Sequence, residues 1–371
     1  MSNDGVFEWQ IPNPERDRAW ENYSFSVDRW WGDFARDLPD QMDTLADNPW
    51  AIGPFEKHTG NPVIYPEAQS WDCGRYDGGV HNGAVTVKEG KFYYIYRGEK
   101  PIDIEQRSPV NYICDIGIAV SEDGVHFERV REHSPLFRTG PDRKYSYEDV
   151  NLVKHEGVYY LFCNQWLWER MDDTSVNGTF LATSTDLLHW EKQGIVFPNA
   201  SRIHRNAVVL QSPTNEAVRV DGKFVMYIND GLMAYSTDML HWHSFDNDKA
   251  NHWPGGEGCF ALAEHNPERT EDIILFTGGN HTGHFYAVGE VLLSKQDVRK
   301  PISWLPRSPL FAEKKYPYEN GYDALPPHSR LSSFADCIFF NGLTIFQDRL
   351  YVYYGGSEYY TCLATVKVNQ K

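Results

Sequence analysis

Polar side chains gather at five places along this chain, each ahead of a strand-like apolar run. The first gathering holds Asp72, Arg75, Asp77, His81 and Asn82, and the second holds Glu148, Asp149 and Asn151. His204, Arg205 and Asn206 form the third, Glu257 between Gly256 and Gly258 the fourth, and Ser333 with Asp336 the fifth. Carboxylates that share a pocket repel one another and lose hydration, so such a cluster implies cations or hydroxyl-rich ligands to hold it. Paired carboxyls can also divide acid and base work. One protonates a leaving oxygen while the other activates water or attacks carbon, which is the chemistry of glycoside cleavage.

The ordinary reading of a single Asp is a turn or capping residue. Asp149 and Glu257 stand apart because each lies at the mouth of a recognisable strand and neither has Asp-Gly turn chemistry. The glycines flanking Glu257 let the backbone approach a ligand closely. Asp77, followed by Gly78 and Gly79, reads equally well as a turn.

Residues so widely spaced need a fold that makes them converge. Strand-like runs recur at Lys91–Tyr96, Val158–Phe162, Lys223–Tyr227, Asp272–Phe276 and Arg349–Tyr354. In step with them comes Ser-x-Asp-x-x-x-aromatic, at Ser121 to Phe127, Ser184 to Trp190 and Ser236 to Trp242, with a degraded copy at Ser294 to Asp297. Five runs at a period of several tens of residues predict an all-β fold, a five-bladed β-propeller, whose innermost strands start around one central pocket. Turn signals such as Glu89-Gly90, Glu156-Gly157 and Asp221-Gly222 mark the hairpins. Residues 1–62 are less repetitive and read as an N-terminal arm with short helices between Arg16 and Asp40, packing on a propeller of residues 63–371.

Composition narrows the partners. A net charge of −17 argues against nucleic acid and anionic membrane surfaces, both of which require a basic patch. No apolar run reaches the ~20 residues of a membrane span, and the first residues show no export signal. The six cysteines are scattered without metal-site spacing, which suits a reduced cytoplasmic protein. His281 and His284, with His252, lack a third ligand at suitable spacing, so no metal and no cofactor is expected. The 15% aromatic share packs blades and, around a pocket, offers platforms for sugar rings. The oligomeric state is left open, a homo-oligomer included.

The order of motifs resembles glycoside hydrolase family 130, the β-mannoside phosphorylases and mannosidases, which are five-bladed propellers. The last blade carries the likeness best: Cys337-Ile-Phe-Phe-Asn-Gly342, then Asp348-Arg-Leu-Tyr-Val-Tyr-Tyr-Gly-Gly-Ser-Glu358-Tyr-Tyr-Thr-Cys-Leu-Ala364. The arm from Gly53 to Ile64 and the segment Val80 to Glu99 are also similar. The resemblance places the family's E-D-P-R motif on Glu148-Asp149-Val150-Asn151 and implies Asp149 as proton donor, directly or through a sugar hydroxyl. It places a phosphate-binding Arg on Arg205, within Arg205-Asn206-Ala207. The remaining phosphate ligands fall near Asn229, Pro254 and Thr277, none of them cationic, and Glu257 stands where the family has a small residue. Phosphate recognition needs fixed cations and forked donors, and a carboxylate at that place would repel phosphate and activate water instead. The family's sugar-binding Asp is Glu358 here, one methylene longer, while Asn82, Arg97 and Glu99 line the same subsite, with Glu148 and Asn206 beside them.

The leading expectation is therefore an exo-acting, inverting glycosidase on β-mannosides or a related small oligosaccharide, with Asp149 as acid and Glu257 as base. Inversion calls for carboxyls ~6.5–9.5 Å apart. A β-mannoside phosphorylase is the alternative if other cations, such as Lys144, Arg202 or His204, join Arg205. An arabinan- or fructan-type glycosidase built on Asp77, Asp149 and Glu257, and a carbohydrate-binding propeller without turnover, are the remaining readings.

Overall fold

A computed structural model describes residues 47–67, 70–72, 79–101, 112–137, 145–167, 173–200, 203–244, 257–280, 286–305, 316–320 and 337–368. Contacts divide the chain into 1–41 and 42–371, and every described residue belongs to the second unit. That unit is five antiparallel sheets. The first blade runs β2 (Val80–Lys88), β3 (Lys91–Pro101), β4 (Tyr112–Ser121) and β5 (Glu128–Arg129). The second runs β6 (Tyr145–His155), β7 (Val158–Leu167), β8 (Gly178–Ser184) and β9 (Glu191–Ile195). The third holds β10 (Val208–Val209), β12 (Lys223–Tyr227), β13 (Met233–Ser236) and β14 (Trp242–Ser244), with β11 (Arg219–Val220) beside β12. The fourth is β15 (Glu257–Ala263), β16 (Asp272–Asn280), β17 (Tyr286–Ser294) and β18 (Ser303–Leu305). The fifth is β19 (Ile338–Phe346), β20 (Arg349–Gly356) and β21 (Tyr360–Lys367), closed on its outer edge by β1 (Glu56–Lys57) of the arm. The expected five-bladed propeller is what the chain forms.

The apolar runs that mark the repeat are the second strands, one place out from the innermost strands that the polar clusters precede. Their hydrophobicity is continuous because each blade is covered on both faces. Ile273 and Leu275 of β16 pack toward Val208, Val225 and Tyr227 of the third blade. Ile274 and Phe276 pack toward Val352 and Tyr354 of the fifth. The same division recurs between blades one and two (Ile95 with Leu152 and Leu161) and between two and three (Phe162 with Phe224 and Met226). Between five and one, Tyr94 and Tyr96 meet Tyr353 and Leu363. Each such side chain contributes roughly 1.5–3 kcal/mol on burial.

The Ser-x-Asp repeat is a turn device between the third and fourth strands. Ser121 Oγ donates to Asp123 Oδ1 at 2.9 Å, and the same oxygen accepts the Val125 and His126 N–H groups at 2.8 Å. His126 Nδ1 lies 2.7 Å from Asp123 Oδ2. Asp186 and Asp238 repeat these bonds with His189 and His241. Slight burial opposes the charge, but the N–H donors and the His ring outweigh it and hold all three carboxyls well below the usual range.

The arm closes the ring. Glu56 and Lys57 pair with Thr365 and Ala364, and Asn61 imitates a strand residue, accepting the Leu363 N–H at 2.7 Å and donating to the Leu363 carbonyl at 2.9 Å. Lys57 reaches Glu319 at 2.9 Å, both side chains buried, and Tyr354 donates its hydroxyl to the same carboxylate at 2.7 Å. Further back, the Ile52 N–H donates to Glu290 Oε2 at 2.7 Å in the interior of the fourth blade, where Glu290 Oε1 is buried without a hydrogen bond. Burial pushes the Glu290 carboxyl up to about 8, against the smaller opposing effect of the Ile52 N–H. A carboxyl raised on folding loses stability as pH climbs from its unfolded value near ~4.3 through its folded value. Glu290→Gln keeps an acceptor for Ile52 and stays neutral. The variant should gain stability relative to the parent from pH 5 to pH 8, by up to a few kcal/mol at ~1.4 kcal/mol per unit of displacement. Denaturant melts at the two pH values check this; an equal stability difference at both would refute it.

Candidate active site

The innermost strands β2, β6, β10, β15 and β19 pack side by side around the axis. Near their starts the ladder slips: β2 against β3 between His81 and Ala84, and β6 against β7 between Glu148 and Asn151. Bulges re-aim side chains and recur beside active sites. At the slipped positions Asn82 and Asp149 have φ 46° and 47°, and Asn206, ahead of β10, has φ 51°. Asn and Asp tolerate this left-handed region better than other non-glycine residues. Three blades thus present an amide or carboxyl by the same backbone device, each preceded by a titratable or charged residue: His81, Glu148 and Arg205.

These side chains meet. Asp149 Oδ1 accepts from Asn82 Nδ2 and from an Arg97 terminal nitrogen, both at 3.0 Å, and Asp149 Oδ2 accepts from Asn164 Nδ2 at 3.1 Å. Arg97 is the hub. Its other terminal nitrogen pairs with Glu99 at 2.7 Å and stands 3.9 Å from Glu148, while its Nε donates to Cys114 Sγ at 3.2 Å. Glu99 also faces His81 Nε2 at 3.2 Å. Burial favours the neutral Glu99 acid, but Arg97 and His81 outweigh it and draw its pKa down. Burial likewise works against a charged His81, and Glu99 outweighs it to raise the ring's pKa.

Two further carboxyls lie in this cluster. Burial pushes Glu148 up to about 7, with Arg97 opposing and Asp149 and Glu99 adding to the rise; its Oε2 accepts from Trp166 Nε1 at 3.2 Å. Burial also lifts Glu358 to about 7, against His81 and Arg97. Glu358 sits in the β20–β21 turn with φ 52°, after Ser357 at φ 54°. The three-residue loop Ser357 to Tyr359 joins the strands, and two successive non-glycine residues in the left-handed region are backbone strain. Gly79 runs beneath it, and a Cβ there would come within 2.6 Å of the Glu358 carbonyl.

On the other side of the axis Arg205 donates to Glu257 Oε1 at 2.7 Å, with about a fifth of each side chain exposed. Asn229 anchors the Arg205 backbone, accepting its N–H on Oδ1 at 2.9 Å and donating its own N–H to the Arg205 carbonyl at 3.0 Å. Thr277 pairs with Gly258 on the ladder and is fully buried. Two of the three expected phosphate positions therefore carry an amide and a hydroxyl. The third, Pro254, lies outside the described residues.

No family model matches the chain. A 1,2-β-oligomannan phosphorylase of Thermoanaerobacter sp. (strain X514) is 27% identical over 317 residues, covering 82% of this chain and 94% of the relative. A β-1,2-mannobiose phosphorylase of the same organism is 24% identical over 334 residues, covering 83% and 96%. A solved structure, described by the finding that the GH130 family of mannoside phosphorylases contains glycoside hydrolases targeting β-1,2-mannosidic linkages in Candida mannan, superposes with TM-score 0.69. It covers 90% of this chain and 98% of its own at 23% identity, a likeness of fold.

In the names of its sequence relatives and in its fold the chain is similar to glycoside hydrolase family 130. It is a glycoside-processing enzyme.

The structure brings Asn82, Arg97, Glu99, Glu148 and Asp149 into one cluster, with Glu358 beside it. Asn206 joins them through Asn164, and Arg205 with Glu257 forms a pair of its own. Asp77 lies outside the described residues, as do Lys144, Arg202, His252, His281, His284, Ser333 and Asp336. His204 packs its ring against Phe197 at 4.7 Å. Five cysteines, Cys114, Cys163, Cys259, Cys337 and Cys362, are buried. Among the described residues no group of His, Cys, Asp and Glu is arranged to hold a metal ion.

Sequence reasoning placed His81 in the first polar gathering without a role and left out Cys114 and Asn164. A signal existed for Asn164: with Gln165 it interrupts the apolar β7 run at the pocket end. Register supplies the rest, since Asn164 stands opposite Glu148 on the ladder.

Proposed function

We propose that this enzyme hydrolyses β-mannosides with inversion, Asp149 supplying the proton and Glu257 activating the attacking water. The observation that carries the reading is the Arg205–Glu257 pair at 2.7 Å. A phosphate nucleophile would need Arg205 and further cations. Here a carboxylate already occupies that guanidinium, and its charge would oppose a phosphate dianion. A carboxylate so fixed, with part of its surface open, is suited to draw a proton from water. Asn82, Arg97, Glu148 and Glu358 then bind the sugar, with Glu99 holding Arg97 and His81 in place. The likeness to a structure described alongside hydrolases of β-1,2-mannosidic linkages supports both fold and substrate class.

Phosphorolysis is the second reading, favoured because both sequence relatives are named phosphorylases and Arg205 is retained. The decisive experiment incubates the enzyme with β-1,2-linked mannobiose and longer mannans, with and without inorganic phosphate, and identifies the products. Equal release of free mannose under both conditions is expected. Mannose 1-phosphate formed only when phosphate is present would overturn the hydrolytic assignment.

A further inference from the structure

Asp149 reaches the third blade through one side chain. Asn164, 1% exposed, donates from Nδ2 to Asp149 Oδ2 at 3.1 Å and to Asn206 Oδ1 at 2.6 Å. Its Oδ1 accepts the Asn206 N–H at 2.8 Å. A primary amide has two N–H groups and one carbonyl, so these three bonds fix the Asn164 amide plane. They also brace Asn206, held at φ 51°, the residue next to the Arg205 that grips Glu257. The two oxygens of Asp149 are thereby made unequal. Oδ1 takes two donors, one of them the Arg97 guanidinium, whereas Oδ2 takes the single Asn164 N–H. A proton on Oδ1 would face a cation.

We infer that Asn164 is a positioning residue that makes Oδ2 of Asp149 the proton-delivering oxygen and ties its position to the Arg205–Glu257 pair. The inference rests on Asp149 being the acid, in hydrolysis or phosphorolysis alike. In the step itself the Oδ2–H bond breaks and the proton passes to the glycosidic oxygen, directly or through a sugar hydroxyl. The electrons of the breaking C–O bond go to that oxygen, while in hydrolysis the incoming water's oxygen bonds to the anomeric carbon and its proton passes to Glu257. The carboxylate left on Asp149 is held by Asn82, Arg97 and Asn164.

Asn164→Ala and Asn164→Asp test this on two substrates, an unactivated mannoside and a dinitrophenyl mannoside whose leaving group needs no proton. Misaiming the acid should lower kcat on the unactivated substrate by ~10–100-fold with little change in KM, and lower it much less on the activated one. Asn164→Asp, which sets a second carboxylate against Oδ2, should also move the pH–rate profile upward. Asn206→Gly removes the Oδ1 acceptor but keeps the backbone N–H bond to Asn164, does not strain the φ 51° position, and should give a weaker form of the same pattern, should the Asn164 variants fail to fold. Equal losses on both substrates with an unmoved pH profile would mean a merely structural role and overturn the inference. A readout free of turnover is the carboxyl 13C titration of Asp149, assigned with Asp149→Asn; it should move in Asn164→Ala, and an unchanged curve would also overturn the inference. Wild-type enzyme inert toward every mannoside would instead count against the proposed function, with the titration still deciding the role of Asn164.

Discussion

Replacing Asp149 with Asn should cut turnover of an unactivated mannobiose by about 10²–10⁴-fold, the usual contribution of a positioned acid, with the propeller intact. The substitution preserves shape but not polarity. Asp149 faces three donors, Asn82, Arg97 and Asn164. An Asn there satisfies Arg97 and Asn82 with its carbonyl only by turning its own NH2 toward the Asn164 NH2. No proton can then be supplied from that side, and Arg97 loses one of its carboxylate partners while keeping Glu99. The loss should fall mainly on kcat and shrink sharply on a dinitrophenyl mannoside. Initial rates on the two substrates, with melting temperature as control, decide it. Equal loss on both, or a variant within a few-fold of wild type on mannobiose, would remove Asp149 from the acid role.

The second large effect is expected at Glu257. Glu257→Ala should lower hydrolysis by about 10²–10⁴-fold through loss of the base, and it also deprives Arg205 of its partner at 2.7 Å. A guanidinium is a natural seat for an oxyanion. Formate or inorganic phosphate at high concentration should therefore restore part of the sugar release in the variant and none in wild type. Phosphate rescue would yield mannose 1-phosphate, detected by anion-exchange chromatography. Hydrolysis by the variant at near wild-type rate would sink Glu257 as base. Loss of activity without anion rescue would point to Glu257 chiefly as a counter-ion that keeps Arg205 in place.

What the sequence revealed, and what it hid, follows from whether a residue's role is local. The second strands were legible because their two faces are both buried, so Ile273, Ile274, Leu275 and Phe276 form an unbroken apolar run. The Ser-x-Asp turns were legible because every bond in them spans two or three residues. Asp149 and Glu257 were visible as acids at strand mouths, and glycine neighbours marked the latter. The Arg205–Glu257 pair spans 52 positions, and no local signal announces it. Glu290 was hidden for the opposite reason. A single Glu in Val288-Gly-Glu290-Val-Leu-Leu-Ser294 reads as an outward-facing strand residue, yet it is fully buried against the arm. Glu358 was found only through the family pattern, since nothing nearby shows that its turn opens on Arg97 and His81.

Ring closure by β1 also has a consequence during synthesis. Glu56 and Lys57 leave the ribosome early, but their partners Thr365 and Ala364 emerge about 300 residues later, roughly 15–60 s at ordinary elongation rates. Through that interval the arm's backbone donors and acceptors, and the apolar faces that will meet between blades five and one, have no native mate. The nascent chain must hold four-fifths of a ring open until its last sheet is made. This is the stage at which a chaperone would matter most, and at which a ribosome stalled before β20 would leave a product with two unsealed blade faces.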